Sequence, residues 1–465
     1  MSENMSSVFS FDAMIIFGGL SVLLLVGLLL RAKMNFLQKF FVPACIIAGL
    51  LGLAVRSTGV IIGILPEGTI ILETFVYHIF NITFISLGLT PRVKNDSKSN
   101  GKLSGLRSIT GMGLLIASVA ALQFALGGLF VILFNILGYN LFPTFGFLVT
   151  MGFEEGPGQA LSIGKSWEVF GFANAATIGL SFATLGFIFA IFLGVLLVGR
   201  AIRKGKISII GKEIPSSFIT GLFAKDKQNE VAGTHTTHPA TLDSLSFHVA
   251  LVGIVYLLTY GFLKVLELFT PADIAEMYWG FFFVWGLLIA YLLKILLKKI
   301  RVDYLLDREL QGRITGIGVD YLIVAAITAI SLKVLLDYAV PILAIAAATG
   351  VITLLWVFYF GKRIWKKYTF ERTIGVYGME TGTVATGLML IRIVDPEFRT
   401  PAATDLALSG VIALPIMFVM FHFMNAPILL GWSVELTVLV FLVFLIGIMS
   451  ILALLGMLKS PKKQK

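Results

Sequence analysis

Cysteine is almost missing from this sequence of 465 residues: Cys45 stands alone. An internal disulfide is thereby excluded, and a cysteine-ligated metal centre has no ligand set. Charge is scarce too. Charged residues make up 13% of the chain, where a soluble domain carries about 25%. The first twelve residues, Met1 to Asp12, contain no Lys or Arg. The apolar run after them is long enough to span a bilayer, so the start reads as a spanning segment rather than a cleavable signal. His-Glu-x-x-His and Gly-x-Ser-x-Gly are both absent. Ser162-Ile163-Gly164-Lys165 fits Ser-x-x-Lys, but no Ser-Asp-Asn or Lys-Thr-Gly partner accompanies it. The chain therefore reads as a non-enzyme.

What fills the sequence is apolar. Hydrophobic residues make up 57%, in runs near the 20 residues that a helix needs to cross a hydrocarbon core. An outer-membrane barrel would instead alternate over segments of about ten residues. The expected fold is an all-α polytopic membrane protein. The spans fall at about 13–30, 40–55 running on to 65, 70–89, 108–138, 172–198, 246–268, 278–297, 314–336, 340–361, 405–424 and 434–457. The net charge of +10 belongs to loops at the membrane edges, so no nucleic acid is expected as a partner; the lipid bilayer is.

Two shorter glycine-interrupted stretches, 139–165 and 370–391, stand apart as expected re-entrant hairpins. The first holds Gly152-Phe153-Glu154-Glu155-Gly156-Pro157-Gly158-Gln159 and the second Gly378-Met379-Glu380-Thr381-Gly382-Thr383. Both read Gly-x-Glu-x-Gly, 226 residues apart, and Ala175-Ala176-Thr177 recurs as Ala402-Ala403-Thr404 at an offset of 227. Near-equal offsets close to half the chain suggest a duplication. With the N-terminus outside and neither hairpin crossing, 32 of the 36 lysines and arginines fall on the cytoplasmic side, as the positive-inside rule asks. Two inverted-topology repeats then follow, each of five spans and a hairpin, which is a transporter signature. The divisions are 1–198 for the first repeat, 199–245 for a cytoplasmic linker, 246–424 for the second repeat, and 425–465 for an extra helix with a basic cytoplasmic tail. The linker, with Asp226 to Glu230 and then His235 and His238, reads as a polar solvated loop.

Charge at membrane depth needs a reason. Glu73 and Lys333 lie near span ends and could snorkel, and His78 and His422 could bond neighbouring helices. Glu154 and Glu380 sit in the breaks, where backbone groups are freed only against protein or a water-filled cavity. Carboxylates and freed carbonyls suit Na⁺; freed N–H groups at a half-helix start suit a carboxylate. The substrate site is therefore assigned to Glu154, Glu155, Gly156, Gly158, Gln159, Glu380, Thr381, Gly382 and Thr383, with Arg392 as a bidentate partner for a substrate carboxylate, a partner for Asp395, or a marker of the cytoplasmic edge. Asn174, Thr177 and Ser181, at i, i+3 and i+7, offer oxygens on one helix face, matched by Thr400, Thr404 and Asp405. With Asn81 and Asp320, each on the third span of its half, Asn174, Thr177, Ser181, Thr404 and Asp405 are the sodium-ligand candidates. Proton coupling through Glu154 or Glu380, for another small organic solute, and a passive channel are the alternatives.

The chain resembles the bacterial sodium/glutamate symporters. The resemblance rests on Phe36 to Leu53, on the break at Gly152 to Gln159 with the helix from Asn174, and on Gly378 to Asp405, including Val394-Asp395-Pro396-Glu397-Phe398-Arg399-Thr400-Pro401. It implies sodium-coupled symport of glutamate or a related carboxylate solute, no cofactor beyond the coupling ion, a homodimer, and elevator-like movement in the inner (plasma) membrane. Where that family has a Gly-Gly-His-Gly-Thr type break, Glu154-Glu155-Gly156-Pro157-Gly158 stands here. The change adds two acids and removes the histidine, which disfavours an anionic substrate unless cations or arginine neutralise them.

Overall fold

The computed structural model describes residues 12–62, 68–91, 102–205, 207, 216–223, 233–395 and 399–458. The linker residues Asp226 to Glu230, the connector residues Pro396 to Phe398 and the tail Lys459 to Lys465 lie outside them. Among the described residues there is no strand. The first half runs α1 (Asp12–Lys33), α2 (Asn35–Lys39), α3 (Ala44–Ile61), α4 (Ile70–Leu89), α5 (Lys102–Ile136), a 3-10 turn at Phe145–Phe147, α6 (Leu148–Phe153), α7 (Pro157–Glu168) and α8 (Ala175–Arg203). After α9 (Ser216–Thr220) come α10 (Ser244–Glu267), α11 (Ala272–Gly280), α12 (Phe282–Lys299), α13 (Arg308–Thr328) and α14 (Leu332–Asp337). The chain ends with α15 (Ala339–Ile364), α16 (Thr369–Glu380), α17 (Val384–Val394), α18 (Ala402–Phe423), α19 (Ala426–Leu429) and α20 (Val434–Leu454).

Ten of the described helices are long and apolar enough to cross a bilayer, and the pair α11–α12, bent by 63°, makes an eleventh if it counts as one span. The helices follow the expected runs closely. The span expected to end at 336 stops instead at Thr328, and α14 begins as a separate short helix.

The chain divides into two compact units, and each draws on both sequence halves. The first comprises Met1–Asp96, Leu161–Thr177 and Ser216–Leu332; the second comprises Ser97–Ala160, Ile178–Pro215 and Lys333–Lys465. In the first unit α13 packs on α3 and α4. Small residues let the backbones approach, as membrane helices require where no hydrophobic effect drives them together: Gly49 sits on Ile327 and Gly318 on Thr83. Phe80, Phe84 and Phe283 form an aromatic cluster between α4 and α12. At the start of α13, Asp307 caps the helix by accepting from the Leu310 N–H at 2.8 Å, and its carboxylate also takes the Thr234 hydroxyl. His248, fully buried, bonds the Ser244 carbonyl through Nδ1 and takes the Asp307 N–H on Nε2.

The second unit is built round α5. It packs on α15, α18 and α20, and Phe124 stacks on Phe441 of α20 with centroids 4.6 Å apart. Gly127 and Gly146 touch backbone to backbone. A Cβ on Gly127 would lie 2.1 Å from the Gly146 carbonyl oxygen, and the reverse distance is 2.0 Å.

Candidate functional site

The first break begins where α6 ends at Phe153. Pro157 opens α7, a position where its missing N–H is no loss. Phe145 meets the ring of Phe182, and Phe153 that of Phe189, so this arm and α8 advance in the same direction. Along α7 the order is reversed: Gly179 of α8 lies on Ala160, and Gly164 on Ala176. The chain therefore turns back at Glu154-Glu155-Gly156. Gly156 has φ +89°, a left-handed conformation open to glycine at little cost.

The second break follows Glu380, the last residue of α16. Gly375 lies on Ile391 and Gly378 on Gly387, so α16 and α17 are antiparallel arms of a hairpin. Thr381 closes the end of α16 by donating its hydroxyl to the Tyr377 carbonyl at 2.8 Å. The Tyr377 hydroxyl donates in turn to the Phe189 carbonyl of α8 at 3.0 Å.

The two tips meet. A Cβ added to Gly156 would lie 2.9 Å from Thr383 Cγ2 and 3.7 Å from the Gly382 carbonyl oxygen. Glu154 and Glu380 lie close enough there to interact electrostatically, and both are buried, with residue exposures of 3% and 0%. No hydrogen bond of ordinary geometry reaches any of their four oxygens. Gln123, from the middle of α5, donates Nε2 to the Glu380 backbone carbonyl at 2.9 Å and to Thr353 Oγ1 of α15 at 3.1 Å. Gln159 donates Nε2 to the Glu155 carboxylate. The Oε1 atoms of Gln123 and Gln159 and the Thr150 hydroxyl, one turn before the first tip, are buried without a hydrogen-bond partner. The tips thus present oxygens and carboxyls. Among the described residues of this unit, Arg372 is the single buried base. Its guanidinium is held by Asp405 at 2.7 and 2.8 Å and by the Lys367 carbonyl.

Of the residues singled out in the sequence, Glu154, Glu155, Gly156, Gly158, Gln159, Glu380, Thr381, Gly382 and Thr383 gather at these tips. Arg392 does not; it is exposed near the end of α17, more than two turns from Thr383. Asp405 lies at the base of the second hairpin, bound by Arg372 and by Ser108 at 2.8 Å, and Thr404 beside it is exposed. Thr177 and Ser181 are buried on α8. Asn174 does not share their helix face, because it precedes α8 as an exposed turn residue with φ +61°, a conformation asparagine tolerates. Thr400 likewise precedes α18 and bonds Asp395. Asn81 and Asp320 belong to the other unit, Asn81 buried in α4 and Asp320 exposed on α13 beside Cys45. Glu73 does not snorkel. It is buried and paired with Lys165 at 2.6 Å.

Ser162 donates to the Gly280 carbonyl at 2.6 Å, while Lys165 is engaged by Glu73 and Glu168. The described residues hold no group of three His, Cys, Asp or Glu arranged for a metal ion. Gln123, Thr353 and Tyr377 were not anticipated. The signal for Gln123 was a lone amide in the middle of an apolar run; the other two needed the tertiary packing. The chain matches no family model, no curated protein and no solved structure.

Proposed function

We propose that the chain is a secondary active transporter of the cell membrane, a cation-coupled symporter whose cation and solute sites adjoin at the two hairpin tips. The observation that carries this reading is the buried Glu154–Glu380 pair at the meeting point of two helix breaks. Unpaired buried carboxyls are costly and destabilising unless a cation or a proton joins them, and at membrane depth such residues mark ion pathways. Sodium is the first cation to test, because the neighbouring amide and hydroxyl oxygens are hard ligands. The solute in this reading is glutamate or another small carboxylate. The first turns of α7 and α17 both start at the tips, and their free N–H groups suit a carboxylate. The sodium ion would neutralise the acids that otherwise repel such a solute.

Alternating access by inverted repeats, with the N-terminus outside and a homodimeric assembly, belongs to the same proposal. The placement of both tips within one compact unit supports a single shared site at the tips. The test is uptake into proteoliposomes under an inward sodium gradient, with choline replacing sodium in the control. Sodium-dependent accumulation of glutamate or a related carboxylate above its external concentration is the expected result. Downhill equilibration alone would sink the reading in favour of a channel.

A second reading, proton coupling, is favoured by one feature: the two acidic side chains face one another with no base between them. Replacing the sodium gradient by a pH gradient in the same vesicles separates the two.

A further inference from the structure

We infer that the C-terminal half of α12 is a docking surface for a phospholipid with an anionic headgroup, an acyl chain lying along Leu288, Leu292 and Ile295 and the phosphate held by Lys298, Lys299 and Arg301. The inference stands apart from the transport reading and concerns the first unit alone.

One face of α12 is spent on α4, where Gly88 lies on Ala290 and Gly286 on Ile85. Away from that contact, Leu288, Leu292, Ile295 and Lys299 recur at i, i+4, i+7 and i+11 and so form one stripe down the helix. All four are exposed, Leu292 and Ile295 at 64% each. The stripe is about 16 Å long, close to the hydrocarbon depth of one leaflet, about half of 30 Å. It is apolar along its length and basic at its end, the pattern of a lipid tail followed by a headgroup. In the proposed orientation α12 ends at the cytoplasmic leaflet, whose surface is negative.

The basic end is built tightly. The Arg301 N–H bonds the Lys298 carbonyl at 3.1 Å and the Val302 N–H bonds the Leu297 carbonyl at 2.9 Å, with Arg301 at φ +62°, where a helix more often ends on glycine. That ending holds the Arg301 backbone against Lys298. Lys298, Lys299 and Arg301 are all exposed, and none forms an ion pair with a described residue. Arg308 and Arg313 of α13 are exposed as well, and Asp303 and Glu309 are the exposed acids, so from 298 to 313 exposed bases outnumber exposed acids five to two. Asp307 is buried and engaged by the Leu310 N–H and the Thr234 hydroxyl. It caps α13, so side chains rather than helix N–H groups recognise the phosphate. Lys294, one turn earlier, is committed to the Gly88 and Thr90 carbonyls at 2.7 and 3.0 Å. A second copy of the chain on this surface would set like charges against one another, which is costly; an anionic lipid meets them with the opposite sign.

The test uses the purified full-length protein in neutral detergent micelles. Thermal stability is titrated against phosphatidylglycerol as the probe, against phosphatidylcholine with the same acyl chains, and against inorganic phosphate. Phosphatidylglycerol should stabilise saturably and more than phosphatidylcholine, and added NaCl should weaken the effect by screening. Replacing all three bases, K298Q with K299Q and R301Q, should raise the half-saturating phosphatidylglycerol concentration about a hundredfold, about fivefold for each base. R200Q with R203Q and K204Q removes the same charge from the exposed end of α8 and should leave that concentration little changed. Equal stabilisation of the unaltered protein by the two lipids needs no variant to fold and overturns the site. Inorganic phosphate reproducing the effect overturns the lipid as its source. An equal loss in both triple variants makes the effect one of diffuse charge and overturns the placement at α12. A change of subunit number in the first triple variant, by light scattering, makes the surface a contact between copies and overturns lipid docking.

Discussion

At the scale of single residues, the acids of the second unit fall into two kinds. Asp405 is answered: Arg372 and Ser108 supply three short contacts. Removing one partner of a buried ion pair strands the other, which costs about 3–5 kcal/mol. D405A should therefore lower the thermal unfolding temperature sharply. Glu380 is unanswered, and E380Q removes a buried charge without stranding a base. That variant should abolish coupled uptake while its unfolding temperature stays near or above that of the unaltered protein. If uptake and ion dependence survived in E380Q, the tips would not be the coupling site. Asp307, at the start of α13, behaves differently again. Burial pushes its carboxyl up, but the Thr234 hydroxyl, the Leu310 N–H and nearby His248 outweigh that and hold it below the usual carboxylate range. A depressed carboxyl contributes stability that is fully present above the unfolded value, near 3.9, and is lost as pH falls through the folded value. The stability gap between the unaltered protein and D307N should be complete at pH 6 and narrow below about pH 4. A gap that widened on acidification would contradict the assignment.

At the scale of elements, the breaks were legible because they violate their surroundings. Glycine and glutamate inside apolar sequence conflict with a continuous buried helix, and helix ends fall at both places. The expected oxygen faces were less legible. Asn174 and Thr400 continue the helical spacing on paper, yet each lies in the turn before its helix, where side-chain and backbone bonding in the turn overrides periodicity. Gln123 was visible as an isolated amide, but its role depends on the Glu380 carbonyl 257 positions away, which no local pattern encodes. Two element-level outcomes follow from close approach. G127L would drive a side chain into the Gly146 carbonyl and should lower the unfolding temperature of the purified protein. G156V combines an unfavourable φ with a clash at Thr383, so it should reduce uptake by separating the tips. Normal uptake by G156V would show that the contact between tips is dispensable.

For the whole molecule, the repeat offset suggested a duplication but not how the chain assembles. Compact units arise from long-range packing, and each takes α-helices from both halves of the sequence. Orientation was read from lysine and arginine alone, and it is open to direct measurement. Cys45 is buried, so a single introduced cysteine reports cleanly. With the N-terminus outside, N140C after α5 should react with a membrane-impermeant maleimide in intact cells, and H238C before α10 only after permeabilisation. The reverse pattern would invert the topology and move each hairpin to the opposite face.

The C-terminal helix α20 lies outside the two repeats expected from the sequence, yet it is no appendage. Its Phe441 stacks on Phe124, and its Val438 presses on Gly128. Gln123, the neighbour of Phe124 on α5, bonds the Glu380 carbonyl at the second tip. α20 thus packs on the stretch of α5 from which Gln123 reaches the second tip. A chain shortened before Trp432 would keep every residue of both breaks and still lose the foundation on which one of them rests.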